Sequence, residues 1–107
     1  MLTTTLGHTL QVYIPNESIT EEVRDEAGKL TVQAGGATRY EVAGGWYDKS
    51  NRLISEQVQI QVWHHTGDLL VLPLVQAMFD GGEDSVLVVD DGIAYTYSNE
   101  EPEDNGL

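Results

Sequence analysis

The sequence predicts an α+β domain, a ferredoxin-like split βαβ sandwich whose four-stranded antiparallel sheet carries two helices on one face and a short extra C-terminal strand. Three observations predict it. Stretches of period two and of helical period follow one another in the order β-α-β-β-α-β. Turn-forming Gly, Asp and Asn clusters separate them. A chain of 107 residues has room for one core. Right-handed crossovers and adjacent pairing then give the strand order 4-1-3-2.

The first strand is His8 to Pro15, with His8, Leu10, Val12 and Ile14 on one face and Thr9, Gln11 and Tyr13 on the other. Ser18-Ile19-Thr20-Glu21 reads as a capping box, Ser18 accepting from the third helical amide. Behind it Ile19, Val23, Ala27 and Leu30 form one helical stripe, and Gly35-Gly36 end the helix. Ala37 to Tyr47 is the second strand, where Gly44-Gly45 signals a bulge or a close backbone approach. Asp48-Lys49-Ser50-Asn51 is a turn. Leu53 to His65 alternates most clearly. Ile54, Val58, Ile60 and Val62 share the expected buried face with Glu56 and His64, and Gln57, Gln59, Gln61 and Trp63 face the other way.

The second helix is apolar, Leu69 to Phe79, and Pro73 sets its regular part to begin near Leu72. Ser85 to Val89 is a strand, Asp90-Asp91-Gly92 a tight hairpin turn, and Ile93 to Tyr97 the last strand. Residues 1–97 are thus one domain. The acidic tail, 98–107, with Glu100, Glu101, Glu103 and Asp104, is expected to be disordered.

Charge separates function classes. Eighteen Asp and Glu stand against five Lys and Arg, a formal charge of −13, and no cation follows Arg52. Such a field repels phosphate backbones and anionic lipid, so direct nucleic-acid or membrane binding is not expected; a basic protein partner is. The absence of cysteine rules out disulfides, thiolate metal sites and a Cys nucleophile. The first residues lack the pattern of a signal peptide and no apolar run is long enough for a membrane span, which gives a cytoplasmic expectation.

The run Thr3-Thr4-Thr5-Leu6, His8-Thr9, Val12-Tyr13 and Pro15, then Gly35-Gly36-Ala37-Thr38, the Gly45-Trp46 neighbourhood, and Leu53 with Glu56 and Val58, resembles small uncharacterised proteins of plasmids, prophages and integrative elements. The Gly-Trp turn, the following Glu and a final Ser85-Val86-Leu87 strand are also similar to a DUF3574-like domain family. The resemblance spans roughly residues 3 to 90 and implies a mobile-element setting, where small acidic proteins often inhibit host restriction or CRISPR defences by mimicking DNA.

Candidate residues follow. No nucleophile elbow, phosphate loop or zinc-helix motif is present, so no catalytic residue, cofactor or metal is expected. Glu56, at an inward parity beside Trp46, is the best pocket candidate, because a buried carboxylate needs a partner or a raised pKa. His8 and His64 are expected as neighbours at one rim of that pocket. Gln57, Gln59, Gln61, Trp63 and Tyr13 form a sheet face expected to meet water, a ligand or a second copy. Asp80, Glu83, Asp84, Asp90 and Asp91 are expected to form a partner-binding acidic strip. The expected function is a non-enzymatic anti-defence inhibitor of a basic host protein, with a homodimeric ligand-binding or assembly module as the alternative.

Overall fold

The centre of the sheet is β1 (His8–Pro15), whose inward residues Leu10, Val12 and Ile14 are buried on the helix side while Thr9, Gln11 and Tyr13 point away. In this computed structural model, which describes residues 1–99, β1 is followed by a 3₁₀ turn (Asn16–Ser18) and by α1 (Glu21–Ala34). β2 (Thr38–Tyr47), β3 (Leu53–His65), α2 (Leu72–Asp80), β4 (Ser85–Asp90) and β5 (Ile93–Ser98) complete the chain. The sheet has five strands, all antiparallel, in the order β2-β3-β1-β4-β5. It therefore includes the expected neighbours, and the C-terminal strand is a full member of the sheet, paired with β4 from Asp90↔Ile93 to Ser85↔Ser98.

One buried cluster joins the elements: Leu10, Val12 and Ile14 of β1, Val23, Ala27 and Leu30 of α1, Leu74, Val75, Ala77 and Met78 of α2, Trp63 of β3, and Val86 and Val88 of β4. The helices pack against one another across this cluster. α1 buries the stripe its spacing predicts. Its N-cap is Thr20, whose Oγ1 accepts from the Val23 amide at 3.2 Å, so the capping box centred on Ser18 is corrected. Ser18 lies instead in the 3₁₀ turn and is buried, and its hydroxyl donates to Glu83. Gly35 closes the helix at φ +85°, a left-handed conformation that a side chain would strain.

The largest correction concerns β3. Its pairing with β1 runs from His8↔His65 to Pro15↔Val58, which sets Trp63 opposite Leu10 and Gln61 opposite Val12. Directly opposed residues share a face. Gln57, Gln59, Gln61 and Trp63 are therefore on the helix side, and Trp63 is 0% exposed in the core, its indole N–H donating to Thr31 Oγ1 on α1 at 3.0 Å. The open face carries Ile54, Glu56, Val58, Ile60, Val62 and His64, together with Tyr13 of β1. A shift of one residue in register exchanges every side chain between faces, and that is the difference here.

Both turns behave as their residues require. Asp48 Oδ1 accepts from the Ser50 and Arg52 amides at 2.9 Å each, and Asn51 takes φ +62°. Asp91 and Gly92 both have positive φ, as a two-residue I′ hairpin turn demands. The expected disorder of the tail concerns residues of which 100–107 lie outside the described ones.

Candidate functional site

Glu56 defines the site. On the open face it stands opposite Gly44 of β2, between Ile54 and Val58 on its own strand. Gly44 is flanked on the same face by Val42 and Trp46, with Tyr40 one pair further on. Tyr40, Val42 and Trp46 are 55%, 36% and 51% exposed, and with half-buried Ile54 and Ile60 they make an uncovered apolar and aromatic surface. Gly44 is a place of close approach: a Cβ there would sit 3.1 Å from Val58 Cγ2, which would have to give by a few tenths of an ångström. No bulge interrupts the pairing, so of the two readings of Gly44-Gly45 the close approach is the one realised.

The carboxylate of Glu56 is half-buried and makes no hydrogen bond or ion pair to any described residue. Desolvation pushes its pKa above the ordinary 4.5, and the like charges of Glu83 and Glu17 push it the same way. With no partner among the described residues, this carboxylate keeps acceptor capacity and is the candidate functional group of the face. With Trp46 two residues along β2 from Gly44 on the same face, the surface suits an organic cation, attracted by the carboxylate and by the indole quadrupole. Among the described residues no group of three His, Asp or Glu is arranged to hold a metal ion.

Trp46 is thus on the same face as Glu56, but the two histidines expected in the pocket are not beside it. His64 shares the open face but lies eight residues further along β3, about 26 Å away at strand spacing. His8 is on the helix side, where its ring stacks on that of His65 at 5.3 Å, because the register pairs it with His65 and pairs His64 with Thr9. His8 Nδ1 is 2.8 Å from Asp91 Oδ2, and the Thr9 amide donates to Asp91 Oδ1 at 2.8 Å. The hydrogen bond and charge of Asp91 raise the His8 pKa, and the same contact lowers that of Asp91. This clasp of strand start to hairpin turn was not legible beforehand, since it depends on which of two adjacent histidines faces inward.

The acidic strip is also divided. Asp80, Glu83 and Asp84 lie before β4 and Asp90 and Asp91 at its far end, so a strand of six residues, about 20 Å, keeps the groups apart. Several are already engaged: Asp80 accepts from Gln76, Glu83 from Ser18, and Asp91 from His8 and Thr9. The interface expected from Gln57, Gln59, Gln61 and Trp63 is on the covered side, for the register reason given above.

A larger depression, about 1120 Å³, runs along the outer side of α1 from Thr20 to Gln33 and is bounded almost wholly by that helix, so it has no facing wall to grip a ligand. A second cleft, between α1 and the β2–β3 edge, is polar.

No family model matches the sequence and no curated protein matches it, so the DUF3574-like resemblance gains nothing from those comparisons. Two solved structures do match. One is a phage SAM lyase in its apo state, with a TM-score of 0.58 and 15% identity, covering 96% of this chain and 100% of that chain. The other is a phage SAM lyase in complex with S-methyl-5′-thioadenosine, with a TM-score of 0.57 and 15% identity, covering 96% and 98%. The likeness is one of fold, end to end. Both structures are of an enzyme, and this overturns the expectation of a non-enzymatic, DNA-mimicking inhibitor; the acidity of the chain is not by itself evidence of mimicry. Among the described residues no helix is long and apolar enough to cross a membrane.

Proposed function

We propose that this chain is a small enzyme that cleaves S-adenosylmethionine, with Glu56 as the group that engages the sulfonium centre. The observation that carries the reading is the end-to-end likeness of fold to a phage SAM lyase, in a chain where, among the described residues, Glu56 is the carboxylate whose pKa burial raises and that shares a face with exposed aromatic and apolar side chains. On this reading the domain is a ferredoxin-like sandwich extended by one strand, acting in the cytoplasm where its substrate is made. A mobile-element origin fits an enzyme that depletes the methyl donor of host modification systems.

The chemistry suits the surface. Release of S-methyl-5′-thioadenosine breaks the bond between sulfur and the γ-carbon of the methionine portion, and the electron pair goes to sulfur, whose positive charge disappears. The vacated carbon is satisfied either by loss of a proton from its neighbour or by closure of the substrate's own carboxylate oxygen. Glu56 would be a general base in the first route and a counter-ion in the second; the two C4 products are isomers separable by chromatography. Both routes neutralise charge, so apolar surroundings favour them over bulk water. Trp46 and Tyr40 would stack with the cation or the adenine.

Incubation of the purified protein with S-adenosylmethionine, followed by chromatography for S-methyl-5′-thioadenosine, tests the proposal. Folded protein that yields no product above the uncatalysed rate refutes it. A second reading has one observation in its favour: Tyr40, Val42 and Trp46 expose enough apolar area to receive a second copy across the same face. Sedimentation of the wild type and of Val42→Asp would show a mass change if that holds, and identical monomers if it does not.

A further inference from the structure

The cleft between α1 and the outer edge of the sheet is lined by polar and charged side chains from both elements. It encloses about 690 Å³, and its lining includes Arg24 of α1 and Arg39 of β2, two of the five Lys and Arg in a chain of formal charge −13. Neither guanidinium makes an ion pair with any described residue, whereas Lys29 pairs with Glu26 and Arg52 with Asp48. Both arginines are exposed and both line the cleft, Arg24 from the helix and Arg39 from the sheet edge.

The sheet wall is an ordered polar square. Arg39 is paired across the strands with Gln61 and Glu41 with Gln59, and the Gln61 amide donates to Gln59 Oε1 at 2.7 Å, which fixes both carboxamides. Deeper in, Ile19, Val23 and Ala27 give an apolar floor. Gly28 forms part of the helix wall, and a Cβ added to it would meet nothing within 4 Å. A glycine inside a helix weakens it relative to alanine, so its place over open space needs a reason, and an unobstructed cleft supplies one.

We infer that this cleft binds the zwitterionic head of a small α-amino acid with an apolar side chain. Arg24 and Arg39 take the carboxylate, Glu41 takes the ammonium, the Gln59 and Gln61 carboxamides complete the polar contacts, and the side chain rests on Ile19, Val23 and Ala27. A carboxylate held by two guanidinium groups gains charge-assisted hydrogen bonds. Glu41 sets the class, because it attracts an ammonium and repels a phosphate dianion. The inference does not rest on the Glu56 face, and either can fail alone.

The test is a titration of the isotope-labelled full chain with L-leucine, glycine, acetate and inorganic phosphate. The side-chain N–H signals of Arg24, Arg39, Gln59 and Gln61 are followed by NMR. L-leucine is expected to shift these signals saturably and to bind more tightly than glycine, with acetate and phosphate weaker by about tenfold or more. Glu41→Gln should remove the preference for L-leucine over acetate, Arg39→Gln should weaken L-leucine by about tenfold, and Gly28→Leu should abolish its binding. Glu41 is an exposed strand residue, so Glu41→Gln reports even if Gly28→Leu fails to fold. Phosphate binding as tightly as L-leucine, unchanged preference in Glu41→Gln, or no shift at about 20 mM L-leucine would each overturn the inference.

Discussion

Replacing Trp63 tests the register on which both faces of the sheet depend. Trp63 is 0% exposed, packed with Leu10 and the helices, and bonded through its indole N–H to Thr31 Oγ1 at 3.0 Å. Truncation to alanine forfeits the burial of a large aromatic and leaves a cavity, a loss of about 3–5 kcal/mol. Thr31 loses little in addition, because its hydroxyl still donates to the Ala27 carbonyl at 2.9 Å. A domain of this size holds about 5–15 kcal/mol in all, so Trp63→Ala should fold but lie close to the threshold. With a urea dependence of about 1.5 kcal/mol per molar, the unfolding midpoint should fall by about 2–3 M. Trp63→Asp should not fold, since it buries an unpaired charge. Urea titration followed by far-UV circular dichroism reads both. A midpoint for Trp63→Ala within about 0.5 M of the wild type would mean that the indole is at the surface, and that the face carrying Glu56 has been wrongly identified.

Other outcomes are expected. Gly28→Ala should raise stability by about 1 kcal/mol, seen as a melting temperature higher by about 4–8 °C, because the added methyl meets nothing and the helix gains propensity. Glu56→Gln should also melt higher at neutral pH: a carboxylate whose pKa is raised on folding destabilises the folded state when ionised, a penalty present above its folded pKa and relieved as pH falls. A lower melting temperature would mean that Glu56 has a structural partner. His8 should titrate above its ordinary 6.5 in an NMR pH series and return toward it in Asp91→Asn. A raised histidine pKa stabilises fully below the unfolded value and is lost as pH rises through the folded one; a lowered aspartate pKa stabilises above the unfolded value and is lost as pH falls through the folded one. The clasp should therefore matter most between about 4 and 6.5, so Asp91→Asn should differ most from the wild type near pH 5, less in alkali, where only the Thr9 share remains, and least in acid, where a protonated carboxyl resembles the amide. A difference that grows above pH 8 would contradict the assignment.

What could be read from the residues was what local physics decides alone. The α1 stripe of Val23, Ala27 and Leu30, the Pro73 limit on α2, the Asp91-Gly92 turn and the order of elements all follow from period, cap and turn chemistry. The face of β3 did not, because Val58, Ile60 and Val62 alternate as a core row would, while the residue that enters the core is the single Trp63 beside the polar Gln row. Pairing with β1 settles it, and pairing is a property of two strands. Val58 and Val62 of that row are buried all the same, while Tyr40, Val42 and Trp46 beside them on the same face stay exposed, a deviation that belongs at a functional surface. Glu56 was legible as an isolated carboxylate among aliphatics, although the environment that perturbs it, Gly44 and Trp46 on β2 with the like charges of Glu17 and Glu83, required the fold. The Arg24–Arg39 cleft was not legible at all, since the two arginines are brought together only by α1 crossing the sheet edge.

The most direct measurement is the rate at which wild type and Glu56→Gln convert S-adenosylmethionine to S-methyl-5′-thioadenosine, both proteins first verified as folded. Turnover by the wild type, reduced by about a hundredfold or more in the variant, is the predicted result. Equal rates in the two proteins would remove Glu56 from the chemistry, and no turnover by the folded wild type would contradict the proposal that this surface cleaves a sulfonium.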